Sequence, residues 1–436
     1  MKKPELISPA GDLEKLKIAL MYGADAVYAS TPKFSMRTRE IGFDMTSLKE
    51  GIKFAHSIGK KVYLTVNVFP HPLEIDAIKK HVLDTIKLKP DAIIVADPGV
   101  VEFIKSKTDI PIHLSTQANV TNQLAANFWH QQGISRIVLA RELSLKEIKK
   151  ISDSIAIPTA VEGSYKKISP TIRQSSWGRN DKSVDLESFV HGAMCMAYSG
   201  RCQISNYMTG RDPNRGACIQ ACRFKYKTYG LEEEFHPGEV FEMFEDDRGS
   251  YVLNSKDLCM IEHVPELIDA GVTSFKIEGR LKSIYYVGIV TRAYRKAIDQ
   301  YFADPKKHKR EAGLLKKELE KSSNRGFTTG FYLNKPDKNT NNYSSSKAKS
   351  EYGYIGLVRK YDPETKTATI DVKNQLKLGS DLEFITPGNI YKYKLTKMLY
   401  GGEEVDVTHA DHTIEVSFPN YLPENSFVRL KLEKNR

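Results

Sequence analysis

Short apolar runs alternate with segments of helical periodicity from residue 4 to about residue 290. In the first repeat, Glu5–Ser8 predicts a strand, Asp12 can cap an amphipathic helix that ends at Gly23, and Ala26–Ala29 predicts the next strand. This alternation is typical of a parallel sheet covered by helices. Six more strands are predicted in the same region: Lys61–Val68, Ala92–Ala96, Pro111–Ser115, Arg136–Ala140, Ser188–His191 and Thr273–Glu278.

A TIM-type (β/α)8 barrel is the fold class that this pattern favours. Eight strands spread over roughly 290 residues match the size of such a barrel. The alternative is an open, doubly wound α/β sheet, but no predicted strand leads into a G-x-G-x-x-G phosphate-binding loop. If the barrel is correct, its functional site lies at the mouth formed by the C-terminal ends of the strands.

The composition changes after about residue 300. Residues 306–321 hold seven Lys or Arg against three Glu and predict a basic helix, and residues 333–350 are rich in Asn, Ser and Lys, which indicates a linker. We therefore divide the chain into an α/β barrel at 1–300, a basic helix and linker at 301–350, and a small all-β barrel at 351–436. Six alternating runs predict the strands of this last domain: Tyr354–Val358, Thr367–Val372, Leu382–Ile385, Tyr391–Leu395, Thr413–Phe418 and Phe427–Lys431.

The formal net charge of +11 and the pI of about 9.1 are compatible with a polyanionic partner, although charge alone does not identify one. No run approaches the ~18 consecutive apolar residues of a membrane span, so no membrane contact is expected. The chain starts Met1-Lys2-Lys3 without an apolar signal segment. We therefore expect a cytoplasmic protein whose thiols stay reduced.

Four of the five cysteines lie within 28 consecutive residues: Cys195, Cys202, Cys218 and Cys222. Because disulfides are rare in the cytosol, a metal centre is the preferred interpretation, ahead of buried thiols without a ligand. Structural zinc usually binds two close cysteine pairs, whereas six, fifteen and three residues separate these cysteines. An iron–sulfur cluster, which tolerates varied spacings, is therefore preferred over zinc. The fifth cysteine, Cys259, lies in a helix-like run and is predicted to be a core residue.

Several predicted strands turn polar at alternate positions near their C-terminal ends, although strands buried on both faces are usually apolar throughout. For any single residue, a salt bridge or a loop hydrogen bond is the ordinary explanation. As a set, these residues predict a polar pocket at the barrel mouth. The set comprises Tyr63, Thr65, Asn67, His113, Ser115, Gln117, Asn119, Lys276, Glu278 and Arg280, with Asp97, Arg141, Glu142 and His191 adjacent to strand ends.

Eight short motifs carry a resemblance to a known family: Pro4–Gly11, Glu187–Cys195, Ser199–Ser205, Arg215–Cys218, Cys222–Arg223, Asn254–Leu258, Lys276–Arg280 and Arg325–Gly330. They resemble, in the same order, segments of the collagenase-like peptidase family U-32, whose catalytic type is unassigned. The segment 157–185 is longer and more polar than the family pattern implies. Within the family, the chain is most similar to the bacterial branch associated with prephenate-dependent 5-hydroxylation of the tRNA wobble uridine. Other branches are associated with hydroxylation of rRNA cytidine or ubiquinone, and older members carry a collagenase label.

The resemblance implies an RNA-modifying hydroxylase. The four clustered cysteines would hold an iron–sulfur cluster, of the 4Fe–4S type, with zinc as the alternative. We expect tRNA to bind through its phosphates to the basic surface and the C-terminal module, and an anionic co-substrate such as prephenate to bind Lys276 and Arg280. No protein partner is identified. The candidate catalytic residues are His191, Lys276 and Glu278, and the candidate substrate-binding residues are Asn67, His113, Gln117 and Arg280.

Two other functions stay open on sequence alone. A peptidase is suggested by the family label, but the chain contains neither H-E-x-x-H nor G-x-S-x-G. His191 precedes Cys195 by four residues, yet a thiolate bound to a metal is a poor nucleophile. A non-catalytic RNA-binding scaffold is also compatible with the positive charge.

Overall fold

The computed structural model describes residues 2–31, 33–35, 42–156, 184–195, 198, 201–212, 218–223, 256–334 and 351–432, together with the backbone of four two-residue strands between 231 and 250. The predicted polar insertion at 157–185 therefore lies outside the described residues except for its last two positions. Most of the predicted linker at 333–350 also lies outside them.

The strands of the N-terminal part, in chain order, are β1 (Glu5–Ala10), β2 (Ala26–Ser30), β3 (Lys61–Val66), β4 (Ala92–Val95), β5 (Ile112–Leu114), β6 (Arg136–Val138), β7 (Asp185–Ala193), β8 (Leu231–Glu232), β9 (Val240–Phe241), β10 (Glu245–Asp246), β11 (Gly249–Ser250), β12 (Asp257–Cys259), β13 (Ser274–Ile277) and β14 (Phe327–Thr328). The helices are α1 (Leu13–Met21), α2 (Met45–Ser57), α3 (Ile75–Lys87), α4 (Pro98–Lys105), α5 (Gln123–Gln131), α6 (Leu145–Ala156), α7 (Ile204–Thr209), α8 (Val264–Asp269), α9 (Ile284–Ala303) and α10 (Pro305–Glu320).

Strands β1 to β7 and β13 form a closed parallel barrel. Each of β1 to β6 pairs with the next strand, β13 pairs with β1, and the β13–β7 pairing closes the ring. The TIM-type prediction is thus confirmed and the open sheet is excluded. The outward faces are apolar, as at Val62 and Leu64, and pack against the helices, while the inward faces carry the polar and aromatic residues described below.

The first strand–helix repeat shows why the sequence folds this way. Asp12 is the N-cap of α1, and its carboxylate accepts a hydrogen bond from the Lys15 backbone N–H at 2.8 Å. Gly23 follows the helix with φ = 108°, and a Cβ there would lie 2.5 Å from Cγ of Arg295. Glycine is therefore required at this turn for both its backbone conformation and its size.

The helix-like interpretation is wrong for Cys259 itself, which lies in strand β12, and correct for the residues that follow it. Strand β12 pairs antiparallel with the end of β7, and the helical part begins with a 3-10 turn at Ile261–His263 and continues as α8. The apolar residues at the start of the run fit both patterns, and their pairing with β7 makes them a strand. The predicted core position is correct, because the thiol is buried and burial raises its pKa to about 12.

The C-terminal part is an antiparallel all-β domain, as predicted. Its strands are β15 (Tyr352–Asp362), β16 (Thr367–Val372), β17 (Leu376–Lys377), β18 (Asp381–Ile385), β19 (Ile390–Lys394), β20 (Leu399–Tyr400), β21 (Glu403–Glu404), β22 (Val407–Thr408), β23 (Thr413–Ser417) and β24 (Phe427–Lys431). The main sheet has the order β19-β18-β24-β15-β16-β23-β20-β21 around an apolar core that includes Ile370, Phe384 and Val416. All six predicted strands are present, and only two-residue strands were missed.

Helices α1 and α9 join the barrel to this domain. Tyr22, which follows α1 directly, and Ile289 of α9 form one apolar cluster with Leu357 and Phe427. The Tyr22 hydroxyl donates to the Ile385 carbonyl at 2.8 Å, and Arg292 of α9 donates through Nε to the carbonyl of residue 386 at 2.9 Å. Among the described helices, none combines the length and the apolar character that crossing a membrane requires.

Candidate active site

The predicted polar residues of β3 and β5 meet at the barrel mouth. Asn67 follows β3 and Ser115 follows β5, and the Asn67 side-chain amide donates to Ser115 Oγ at 3.1 Å. Both residues are buried. The backbone N–H of Ser115 in turn donates to the carbonyl of Val95, the last residue of β4, at 2.7 Å. Adjacent strand ends therefore hold these side chains in fixed positions, as the two-residue periodicity predicted.

Arg141 connects the polar pocket with the cysteine segment. Its guanidinium donates to Glu278 at 3.1 Å, lies 3.6 Å from the sulfur of Cys195, and stacks over the ring of Phe189 with 3.9 Å to the ring centre. Arg141 and Glu278 are both buried. The sequence prediction placed Arg141 only near the site, whereas the structure places it between a candidate catalytic residue and a candidate metal ligand.

Arg280, a candidate substrate-binding residue, lies on the same rim. Its guanidinium donates to Ser30 Oγ and, at 3.2 Å, to Thr65 Oγ1, and it lies over the ring of Tyr28 at 5.6 Å. These contacts fix a buried positive charge beside neutral hydroxyl groups. A fixed guanidinium of this kind can bind a carboxylate or phosphate through two parallel hydrogen bonds.

Lys276 lies one layer deeper, inside the barrel. Its ammonium is 2.6 Å from a carboxylate oxygen of Glu187 and 4.4 Å from the ring centre of Tyr28. Burial lowers the pKa of Lys276, while the neighbouring Glu187 opposes that shift. The second Glu187 oxygen lies 3.4 Å from Arg136, which also contacts Glu5 at 2.6 Å. A network of alternating charges therefore occupies the barrel interior below the mouth.

His113 also points into the barrel, where its ring packs edge-on against Tyr63 with 4.6 Å between ring centres. Burial lowers the pKa of His113 well below its usual value, and the positive charges of Arg136 and Lys276 add to this effect. The imidazole is therefore neutral near pH 7. It is suited to neutral hydrogen bonding and not to binding an anion by charge.

The side chain of His191, a candidate catalytic residue, points away from those of Lys276 and Glu278, although its backbone carbonyl accepts a hydrogen bond from the Glu278 N–H at 2.8 Å. Its ring packs among Tyr286 and Tyr294 of α9 and Phe327 of β14, with ring centres 5.4 to 5.9 Å away. It is almost fully buried, and burial lowers its pKa to about 3. Of the three candidate catalytic residues, only Lys276 and Glu278 contact the polar network of the mouth and the interior.

Gln117 and Asp97 have different surroundings at the rim. Gln117 lies in a single 3-10 turn, Thr116–Ala118, and its side-chain oxygen is buried without a hydrogen-bond partner in the described structure. Asp97 caps α4 and accepts a hydrogen bond from the Val100 N–H at 3.0 Å. The ordinary structural explanation therefore accounts for Asp97, whereas Gln117 has an unsatisfied group at the mouth.

The four clustered cysteines lie after β7, on the mouth side of the barrel, and none of the chain's five cysteines forms a disulfide. Cys218 Sγ lies 3.4 Å from the Gln220 N–H and 3.8 Å from Ser205 Oγ. Hydrogen bonds to sulfur of this kind also surround cluster-bound thiolates, so the chemistry of the donor set fits an iron–sulfur centre. Within the described residues, however, no three His, Cys, Asp or Glu side chains converge as a metal site requires. The ligand assignment therefore stays a prediction.

Comparison with known proteins identifies the family. Residues 11–342 match the model of Peptidase family U32, and residues 350–429 match that of its C-terminal domain. The chain belongs to the peptidase U32 family. Its relatives in the U32 family include tRNA hydroxylation protein P1 of Bacillus subtilis (38% identical, covering 88% of this chain and 84% of that protein) and tRNA hydroxylation protein P of Escherichia coli (36%, covering 98% and 96%). A protein named Collagenase from Porphyromonas gingivalis is 30% identical, covering 88% of this chain and 86% of its own length.

Sequence reasoning missed the buried charges in the interior of this U32 barrel. Arg136 and Glu187 were recognised only as parts of a strand or a motif. A usable signal was present, because Asp185, Glu187 and Phe189 share one face of β7 by two-residue periodicity. A carboxylate on the inward face of a barrel strand requires a cationic partner, and Arg136 and Lys276 are the partners that the structure supplies.

Proposed function

We propose that this chain hydroxylates tRNA, converting the wobble uridine to 5-hydroxyuridine. The observation that carries the proposal is the near full-length likeness to two proteins named for tRNA hydroxylation. The structure supports it with a buried, charged mouth that lies next to a cysteine-rich segment. Replacing the C5 hydrogen of uracil by hydroxyl removes two electrons from the base and adds an oxygen atom, chemistry that cofactors perform and side chains do not.

In this proposal Cys195, Cys202, Cys218 and Cys222 hold an iron–sulfur cluster, which would supply electron transfer at the mouth. Arg141 orients the start of this segment, because one guanidinium contacts both Cys195 and Glu278. That bridge would keep the distance between the cysteine segment and the polar pocket constant.

An anionic co-substrate derived from prephenate would bind at the charged side of the mouth. Arg280 presents a guanidinium that buried contacts hold in place, and it suits a carboxylate. Glu278 and Lys276 lie on the same strand end and could hold or release a proton beside the bound anion. Lys276 suits this role because burial lowers its pKa while Glu187 keeps the side chain in position.

Deleting the gene and measuring tRNA nucleosides by mass spectrometry tests the function directly. We expect 5-hydroxyuridine to disappear and to return when the wild-type chain is restored. A chain with serine at the four clustered cysteines should not restore 5-hydroxyuridine. The Cys259→Ala variant should restore it, because Cys259 lies in the hydrophobic core and is not one of the candidate ligands. An unchanged amount of 5-hydroxyuridine in the deletion strain would reject the proposal.

Anaerobic purification followed by iron, sulfide and zinc analysis tests the cofactor separately. We expect about four iron and four sulfide per chain, as a single 4Fe–4S cluster requires. The four-serine variant should lose both, and Cys259→Ala should keep them. Zinc without sulfide would show that the chain binds zinc and not an iron–sulfur cluster, and the proposed electron transfer at the mouth would then be wrong.

A peptidase is the second candidate, because one relative is named Collagenase. The described structure gives this function little support. The imidazole nearest to the cysteines in sequence, His191, faces Tyr286, Tyr294 and Phe327, where it cannot serve as the base of a cysteine nucleophile. Cleavage of gelatin by the purified four-serine variant would establish a peptidase activity that does not depend on the cysteine segment.

A further inference from the structure

The turn that follows β5 carries two buried side-chain atoms without hydrogen-bond partners in the described structure. They are Oε1 of Gln117, within the 3-10 turn, and Oδ1 of Asn119, at its end. Buried polar atoms are nearly always satisfied, so two in one turn indicate groups that await a ligand or ordered water. Both side chains are neutral amides.

The backbone holds this segment rigidly at the mouth. Thr116 donates its hydroxyl to the Leu139 carbonyl at 3.2 Å, and the Ala140 N–H donates to the Val120 carbonyl at 3.2 Å. Asn119 ends the turn in the left-handed region with φ = 55° and ψ = 52°, a conformation that asparagine adopts more readily than most residues. The backbone that carries the two amides is therefore held in place before any ligand binds, as a selective site requires.

The mouth thus has two chemically different sides. Arg141, Glu278 and Arg280, on and after β6 and β13, supply charges that suit an anion. Gln117 and Asn119 supply neutral amides, which can both donate and accept. The edge of uracil places an N–H donor between two carbonyl acceptors, whereas cytosine has an acceptor nitrogen and an amino donor there, and a side-chain amide can pair with two adjacent positions of such an edge.

We infer that Gln117 and Asn119 recognise the target base, and that they select uracil over cytosine through its hydrogen-bonding edge. This inference rests on the proposed function. It places the target uracil of the tRNA at the neutral side of the mouth. Gln117 accepts from the uracil N3–H and donates to the adjacent carbonyl, while Asn119 completes the contact. The co-substrate then binds only at the charged side.

Binding of anticodon stem-loop RNAs to the full chain tests this assignment. Four probes differ only at the wobble position, which is uridine, 3-methyluridine, cytidine or abasic. We expect the wild type to prefer uridine over the other three by roughly tenfold or more, the discrimination typical of one good bidentate pair. Gln117→Glu removes the amide donor and adds a carboxylate that can accept from the cytosine amino group. It should lower uridine affinity by roughly tenfold, raise the relative affinity for cytidine, and leave abasic binding unchanged.

Gln123→Glu is the matched control, since it makes the same chemical change at an exposed residue six positions later. It should behave as the wild type. Gln117→Ala provides a second variant without a new charge, and should lose discrimination while its thermal unfolding stays close to the wild type. Equal binding of all four probes by the wild type would overturn the inference, as would unchanged selectivity in both Gln117 variants.

Nucleoside analysis separates this inference from the proposed function. In a deletion strain carrying Gln117→Glu, we expect 5-hydroxyuridine to fall at least tenfold, with Gln123→Glu at the wild-type amount. If Gln117→Glu restores 5-hydroxyuridine fully, the base-recognition assignment is wrong although the hydroxylation stands. If the deletion strain itself keeps 5-hydroxyuridine, the proposed function fails.

Discussion

Arg141 shows how one side chain can link two regions that are distant in sequence. It follows β6, contacts Cys195 after β7, and pairs with Glu278 after β13. The planar guanidinium stacks on the ring of Phe189, which holds it in one orientation. A lysine could not make these contacts together, because it offers a point charge and no flat surface.

Arg141→Met should lower the free energy of unfolding by about 3 kcal/mol, because Glu278 would lose a buried ionic partner. Adding Glu278→Gln should recover part of the loss, with a coupling of roughly 1–3 kcal/mol between the two positions. Denaturant unfolding of the wild type, both single variants and the double variant measures this coupling. Arg310→Met is the control, since Arg310 is exposed and lies 3.9 Å from its nearest carboxylate, Asp304. Strictly additive effects of the two mouth substitutions would contradict the bridge.

His191 should make the protein less stable in acid. Its pKa is about 3 in the folded chain against 6.5 for an unperturbed histidine, so the unfolded state binds the proton more readily. The contribution is complete above pH 6.5 and is lost as the pH falls from 6.5 towards 3, by about 1.4 kcal/mol per pH unit. Between pH 7 and pH 5, His191→Phe should therefore lose about 2 kcal/mol less stability than the wild type. Equal slopes of stability against pH for the wild type and His191→Phe would refute the assignment.

At the scale of elements, α9 packs against both domains, and the contact is so close at Gly288 that a side chain would not fit. A Cβ on Gly288 would lie 2.2 Å from a ring carbon of Phe427 in the C-terminal domain. A Cβ on Gly313 of α10 would meet nothing closer than a Glu262 carboxylate oxygen at 3.9 Å. The two helical glycines therefore have different reasons to be present.

Gly288→Ala should destabilise the chain by about 1–3 kcal/mol, because the clash at the domain contact outweighs the higher helix propensity of alanine. Gly313→Ala should instead stabilise it by about 0.5–1 kcal/mol, since only propensity changes. Thermal unfolding of the two variants beside the wild type distinguishes the cases. If both glycines gave the same sign, the contact between α9 and β24 would not be the cause.

The direction of the His191 side chain is a feature of the strands that could not be predicted from the sequence. All eight barrel strands were predictable, because runs buried on both faces are apolar and flanked by helical periodicity. Strict alternation also places His191 on the inward face of β7 with Phe189. The pairing of β7 with β13 shifts register between Lys276 and Ile277, and this irregularity turns the His191 ring towards α9 instead. The pattern of polar and apolar residues along the chain does not predict such a register shift, because the shift arises where two strands pair.

At the scale of the whole molecule, the positive charge is distributed unevenly. Residues 301–350 contain twelve Lys or Arg against five Asp or Glu, whereas residues 351–436 contain twelve against thirteen. The C-terminal domain therefore has no excess of positive charge, although the family resemblance led us to expect that it binds tRNA. We therefore expect tRNA phosphates to bind α10 and its surroundings instead.

The first two turns of α10 carry this surface in an arrangement that costs stability. Lys306, Lys307, Lys309 and Arg310 are exposed, and the first three have no carboxylate partner within the described structure. Lys306 and Lys307 lie in the first turn, where each cation opposes the helix dipole by about 0.3–1 kcal/mol. By contrast, Lys394 and Lys397 of the C-terminal domain pair with Asp381 and Glu404, which reduces their attraction for phosphate.

Changing Lys306, Lys307, Lys309 and Arg310 to glutamine should therefore weaken tRNA binding without unfolding the protein. We expect the salt dependence, the slope of log affinity against log salt concentration, to become less steep by up to about 3.6, at 0.7–0.9 per lost phosphate contact. Thermal stability should stay the same or rise, because the unfavourable helix-dipole interaction is removed. Glutamine at Lys377, Lys392, Lys394 and Lys397 is the matched control and should change the slope by less than about 1. A larger change of the slope in the control than in the α10 variant would instead support tRNA binding by the C-terminal domain. The comparison is direct because both variants lose four charges and differ only in where those charges lie.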